Sequence, residues 1–246
     1  MSVEKAATDV ALSAQGLRLG YGDLTAVWDV DIDVRPGRTT ALLGRNGAGK
    51  TTLLSGLIGL LTAKSGTVTL HGKDITRLPP WTRVDRGLAI VREGKRIFRT
   101  LTVVENITVG MPKKLSRAGR AEALERIWED FPVLAERRGQ LGGQLSGGQQ
   151  QMLSIATAVV ARPTVLLVDE PSSGLSPLAV DQVLEVIDKL KADGLAILLV
   201  EQIVEEVLSG YADDVVLIDQ GRVMLREPAD RVSVDQITAV MFGTGS

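Results

Sequence analysis

The stretch Thr40-Ala41-Leu42-Leu43-Gly44-Arg45-Asn46-Gly47-Ala48-Gly49-Lys50-Thr51-Thr52 decides how this chain is read. Its first four residues form a short apolar run of the kind a strand covered on both faces requires. Residues 44–51 then fit G-x-x-x-x-G-K-[ST] without a mismatch, and a helix is expected from Lys50, with Leu53, Leu54, Leu57 and Leu61 on one face. Strand, glycine-rich turn and helix in that order make a phosphate loop. The glycines let backbone N–H groups turn inward on a polyphosphate, and the helix directs its positive N-terminus at the same point. Gly44, Arg45, Asn46, Gly47, Ala48, Gly49, Lys50, Thr51 and Thr52 are therefore the predicted nucleotide contacts. Lys50 would bridge the β- and γ-phosphates, and Thr51 would offer its hydroxyl to Mg2+. A glycine-rich turn that merely caps a helix is the alternative, and the strand–helix context weighs against it.

Outward from this loop the same rhythm repeats. Ala89–Val91, Val165–Val168 and Ala196–Val200 are apolar runs of strand length. Ser176-Pro177 predicts a helix start, with serine as N-cap and proline at the first helical position. Val180, Val183, Leu184, Ile187 and Leu190 follow as one apolar stripe, and Gly194 is the expected stop. Val215–Ile218, the turn Asp219-Gln220-Gly221 and Val223–Leu225 predict a terminal hairpin. The segment 93–161 breaks the pattern: Leu124, Ile127, Trp128, Phe131 and Leu134 make a helical stripe with little strand signal around it. The expected architecture is α/β, with a mostly parallel sheet and a helical lobe inserted at 93–161. One domain is expected over 10–246, preceded by a flexible lead-in at 1–9.

Asp169 and Glu170 follow the apolar run 165–168 directly. Ligands of open α/β sheets collect at the carboxyl ends of strands, so Asp169 can reach the Mg2+ shell of a nucleotide held by the phosphate loop. Glu170, one residue further and directed differently, could orient or deprotonate the attacking water. Acids that simply end a strand before Pro171 are the competing reading.

Bulk properties narrow the function classes. With a net charge of −2 over 246 residues, nothing electrostatic points to nucleic acid as a partner. Cysteine is absent, which removes disulfides and thiolate metal sites. No apolar run reaches the ~20 residues a spanning helix needs, so any membrane role is expected to come through a partner.

Leu145-Ser146-Gly147-Gly148-Gln149, followed by Gln150-Gln151 and standing ahead of Asp169–Glu170, resembles the signature motif of ABC ATPases. The resemblance covers nearly the whole chain, and the fold it implies is the ABC ATPase: a phosphate-loop core, an N-terminal antiparallel β part and the helical lobe with the signature. It implies that Tyr21 stacks on adenine and that two ATPase subunits, identical or homologous, meet head to tail. ATP on one phosphate loop is then closed by Ser146, Gly147, Gly148 and Gln149 of the other subunit. Hydrolysis would drive separate permease subunits at the inner face of the cell membrane, fed by an extracytoplasmic solute-binding protein.

Three positions depart from the usual family pattern. Glu93, in Val91-Arg92-Glu93-Gly94-Lys95-Arg96, stands where a glutamine usually meets Mg2+ and water. Ser176 replaces the usual aspartate, and Gln202 occupies the place of a switch histidine that contacts the γ-phosphate. These departures together look like the importers of branched-chain amino acids, in particular the shorter of their two ATPase subunits; urea and amide importers have closely related subunits. Catalytic roles are expected for Glu170, Gln202 and Glu93, and Mg2+ contacts for Thr51, Asp169 and Glu93. His71, the single histidine, is read as a surface-turn residue without function. A soluble ABC ATPase outside transport is the rival class, against which stand the absence of cysteine and the single compact ATPase unit.

Overall fold

The computed structural model describes residues 10–94 and 96–242; the expected flexible lead-in at 1–9 lies outside the described residues. Leu12–Tyr21 (β1) and Leu24–Val34 (β2) form a long antiparallel hairpin. On its other edge β1 pairs with Ser65–Leu70 (β4), which pairs in turn with the short Lys73–Asp74 (β5). This four-stranded sheet, ordered β2-β1-β4-β5, is the antiparallel part that the family resemblance implies.

The second sheet runs Arg222–Pro228 (β10), Asp214–Asp219 (β9), Thr39–Leu43 (β3), Ala196–Glu201 (β8), Val165–Asp169 (β7) and Leu88–Val91 (β6). Its pairings are parallel except β9–β10. The apolar runs become strands because both faces of this sheet are covered. Leu42, Leu167, Leu198 and Val200 pack toward the antiparallel sheet and the first helix. Leu166, Val168, Ile197 and Leu199 pack on the opposite side, against the helical lobe. A strand apolar on both sides loses the polar alternation of a half-exposed one.

Lys50–Ile58 (α1) follows β3 and stops at Gly59, whose φ of +84° ends the helix. Leu61 therefore lies beyond the helix on which its spacing placed it, and packs at the margin of the core. Pro80–Asp85 (α2) precedes β6. Between β6 and β7 stand Val103–Val109 (α3), Arg117–Asp130 (α4), Pro132–Ala135 (α5) and Gly147–Val159 (α6). The expected stripe from Leu124 to Leu134 is split: α4 ends at Phe131, and Pro132 starts α5. Proline removes an N–H and disfavours helical backbone at the residue before it. Phe131 and Leu134 are nonetheless fully buried in the same cluster.

Pro177–Ala192 (α7) buries the whole predicted stripe from Val180 to Leu190. Ser176 occupies the N-cap, but its hydroxyl makes no capping bond. Val204–Leu208 (α8) and Val234–Phe242 (α9) contribute Val204, Val207 and Ile237 to a third cluster with Ala41 and Leu43 of β3.

One turn ties the sheets to the phosphate loop. The β9–β10 turn places Gln220 and Gly221 at φ +45° and +75°, the left-handed pair that a tight two-residue hairpin turn demands. Gly221 N–H donates to Ala48 O at 2.8 Å, and its carbonyl accepts from Trp28 N–H at 2.7 Å. A Cβ on Gly221 would stand 2.1 Å from Ala26 O, so only glycine permits this approach.

Candidate active site

The carboxyl ends of β3, β8 and β7 lie side by side, with Leu43 opposite Glu201 and Asp169 opposite Val200. The phosphate loop leaves β3 at Gly44, where a Cβ would sit 2.4 Å from Ile218 O. Gly47 and Gly49 take φ of +83° and +107°. Gly49 is the N-cap of α1 and supplies no side-chain cap, so the first N–H groups of the helix are left for an outside acceptor. Arg45, Asn46 and Gly47 are exposed, whereas Ala48 is buried. Thr51 is exposed and Thr52 half-buried on the first turn of α1.

Lys50 folds back beneath the loop and is 4 % exposed. Its ammonium donates to Gly44 O at 2.7 Å and Arg45 O at 3.2 Å, and lies 3.5 Å from Glu170 Oε1. Glu170 Oε2 accepts from Gln202 Nε2 at 2.6 Å. The structure thus brings Lys50, Glu170 and Gln202 into one line across the ends of β3, β7 and β8. Gln202, expected at the γ-phosphate, is occupied here in holding the carboxylate. Glu170 has a φ of +45°, a left-handed conformation that a non-glycine residue adopts only under constraint.

Asp169 is 3 % exposed, and its Oδ1 is buried without a hydrogen-bond partner. Burial pushes its carboxyl up to about 6; the charges of Glu170 and Glu93 add to this, while Arg92 and Lys50 oppose it. Glu93 stands exposed in the turn after β6. A buried acid with an idle oxygen and a raised affinity for protons is one that a cation would satisfy. Among the described residues no group of three or more His, Cys, Asp or Glu is placed to hold a metal, so a cation at Asp169 would complete its shell from phosphate oxygens and water.

Two expected elements lie apart from this cluster. Ser146 caps α6 in a reciprocal box: its Oγ accepts from Gln149 N–H at 3.3 Å, and Gln149 Oε1 accepts from Ser146 N–H at 3.0 Å. Ser146, Gly148 and Gln149 line a cleft with Asp130, Phe131 and Ala179. Tyr21, 58 % exposed, ends β1. A cavity of about 490 Å3 lies at the opposite, amino ends of the strands, near Pro36, Thr164 and Leu195, and is not where α/β sheets bind their ligands. His71 is exposed on its turn and meets the Thr164 hydroxyl at 2.7 Å.

Sequence reasoning passed over Glu201, which is buried at the end of β8 one residue before Gln202. A carboxylate closing an apolar strand was the available signal, the same one that singled out Asp169.

The ABC transporter family profile matches residues 27–173, which span the phosphate loop, the segment 145–149 and the Asp169–Glu170 pair. The chain belongs to the ABC transporter ATPases. It is 38 % identical over 207 residues to the high-affinity branched-chain amino acid transport ATP-binding protein BraG of Pseudomonas aeruginosa, covering 84 % of this chain and 88 % of that one. Identity to the probable branched-chain amino acid transport ATP-binding protein LivF of Archaeoglobus fulgidus is also 38 %, over 88 % and 91 % of the two chains. The lipopolysaccharide export system ATP-binding protein LptB of Haemophilus influenzae is 32 % identical over 94 % and 97 %. The solved structure of cbiO1 from Clostridium perfringens shares the fold with a TM-score of 0.85 at 24 % identity, over 94 % and 93 % of the chains. As an ABC ATPase the chain binds and hydrolyses ATP. No helix among the described residues is long and apolar enough to cross a membrane.

Proposed function

We propose that this ATPase powers a solute importer, with Glu170 as the group that activates the attacking water. The observation that carries the catalytic part is the line Lys50–Glu170–Gln202 at the mouth of the phosphate loop. Lys50 now satisfies its ammonium on the carbonyls of Gly44 and Arg45; with ATP bound it would exchange them for β- and γ-phosphate oxygens. Residues 44–52 present backbone N–H groups to the polyphosphate, and Tyr21 stacks on the adenine. Thr51, Asp169 and Glu93 would hold Mg2+, which would supply charge neutralisation to the phosphates when bound. Glu170 Oε2 takes the proton of the water, while the Gln202 amide keeps that carboxylate in place. Ser146, Gly147, Gly148 and Gln149 would close the ATP of a second ATPase subunit, the N-terminus of α6 offering its N–H groups and dipole to that anion.

The reading as an importer of branched-chain or other amino acids is supported by the names of BraG and LivF. Export is the second reading, favoured by the 32 % identity to LptB. Either way, residues 10–246 act as one ATPase domain with a helical subdomain at 93–161. The surface around residues 93–104, between the core and the helical lobe, would meet permease subunits, holding the chain peripherally at the inner membrane face.

Replacing Glu170 with Gln should leave ATP binding intact and reduce hydrolysis by about 100-fold or more. Turnover close to wild type in a single-turnover assay would remove Glu170 from this role. Copurified membrane subunits whose ATPase rises with amino acid and binding protein would distinguish import from export.

A further inference from the structure

Four charged side chains are buried among the described residues: Lys50, Arg83, Asp169 and Glu201. The reaction accounts for Lys50 and Asp169, and Arg83 is taken up by backbone carbonyls below α1. Glu201 is the charge that the proposed chemistry leaves unused. It is 2 % exposed, at the last position of β8. Its Oε1 accepts from Ser172 N–H at 3.0 Å, and its Oε2 accepts from the Ser172 hydroxyl at 2.9 Å and from Gln202 N–H at 3.3 Å.

These bonds land on both segments that carry the reacting groups. Ser172 is two residues beyond Glu170 and is itself buried. Gln202 donates its side-chain amide to Glu170 Oε2. On the other side Glu170 N–H is fixed to Val200 O at 2.9 Å. Glu170, in its left-handed conformation, is thus bracketed by β8 on one side and by the Glu201–Ser172 pair on the other. A non-glycine residue stays in that region only where its surroundings over-determine it.

We propose that Glu201 is a positioning residue for ATP hydrolysis, clamping Ser172 and Gln202 so that the Glu170 carboxylate is held at the phosphate loop. The chemistry calls for a carboxylate in particular. Ser172 N–H, the Ser172 hydroxyl and Gln202 N–H all donate to its oxygens, and a carboxylate is acceptor-only. A glutamine would turn its NH2 group against the Ser172 N–H or the Gln202 N–H, and neither backbone donor can reverse to accept it, whereas the Ser172 hydroxyl can. The inference rests on Glu170 being the water-activating group, and its test is arranged to separate the two.

The experiment measures Mg-ATP affinity, KM and kcat of the full chain in its copurified complex, for wild type, Glu170→Gln, Glu201→Gln, Ser172→Ala and Ser172→Thr. A displaced carboxylate slows chemistry without weakening nucleotide binding, so Glu201→Gln should lower kcat about 10- to 100-fold with Mg-ATP affinity within about twofold of wild type. Ser172→Ala should lower kcat in the same direction, and Ser172→Thr, which keeps the hydroxyl, should restore it. Because Ser172→Ala only deletes one oxygen, it tests the clamp even where Glu201→Gln fails to fold. Loss of turnover in Glu170→Gln beside wild-type kcat in both Glu201→Gln and Ser172→Ala overturns the inference alone. Turnover retained by Glu170→Gln overturns the functional reading and the inference with it. Equal losses of kcat and of Mg-ATP affinity would make Glu201 a purely structural residue, and also overturn the inference.

Discussion

At the residue scale, the active-site line depends on a neutral partner for Glu170. Gln202 donates a hydrogen bond at 2.6 Å, and unlike a histidine it cannot change charge near neutral pH. The Gln202→Ala variant is expected to turn over ATP about 10-fold more slowly, because the Glu170 carboxylate loses a restraint. Steady-state kinetics check this, and an unchanged kcat would make Gln202 a bystander. Asp169 gives a pH signature of its own. Burial, with the neighbouring acids, raises its carboxyl from 3.8 to about 6. Between those values the folded chain keeps a proton that the unfolded chain has released. This group's contribution to stability is therefore fully present below about pH 4 and is lost as pH rises through 6. Asp169→Asn, which cannot ionise, should gain on wild type by roughly 2–3 kcal/mol between pH 4 and 7 without nucleotide. Urea unfolding of both proteins at several pH values measures the difference. Asp169 and Glu170 were legible in sequence as acids ending an apolar run. The Gln202–Glu170 contact was not, since 32 residues separate the partners and only the adjacency of β7 and β8 joins them.

At the scale of elements, α1 ends abruptly at Gly59, and that end needs partners for its last carbonyls. Arg83 performs part of that task from another helix. It is 2 % exposed and donates to Gly56 O, Leu57 O, Leu78 O and Thr76 O, at distances of 2.6–2.9 Å. Burial pulls its guanidinium down to about 10, against the opposing charge of Asp74, and it stays protonated at neutral pH. Arg83→Ala would take a donor from four carbonyls, of which Gly56 O keeps the Gly59 N–H, and is expected to cost about 3–5 kcal/mol. The midpoint of denaturant unfolding reports this. Local pattern could not foresee it: the arginine sits in a short helix with no periodic signal, and its partners come from distant turns. The same limit misplaced Leu61, whose helical spacing from Leu57 says nothing of the Gly59 stop between them. By contrast α7 followed its sequence closely, because the stripe from Val180 to Leu190 is long enough for periodicity to decide.

At the scale of the whole molecule, the phosphate loop opens α1 and Ser146–Gln149 opens α6 on the helical lobe, and a head-to-tail pair of subunits would bring one against the other. Mg-ATP should therefore hold two ATPase subunits together when hydrolysis is blocked. Glu170→Gln with Mg-ATP is expected to sediment as a dimer, with itself or with its ATPase partner, and as a monomer without nucleotide; Ser146→Arg should abolish the shift. A monomer under all conditions would sink the shared-site arrangement. The phosphate loop, the mostly parallel α/β core and the helical segment between β6 and β7 were legible from the order of residues. Each of these is written in neighbouring residues, as spacing, glycine placement or continuous burial. Which side chains face one another across strand ends emerged with the folded chain: Lys50 with Glu170, Gln202 with Glu170, Glu201 with Ser172, Gly221 against the phosphate loop. Those contacts depend on strand order, β3 beside β8 beside β7, and strand order is fixed by packing two sheets and a helical layer around common cores, which no local pattern encodes.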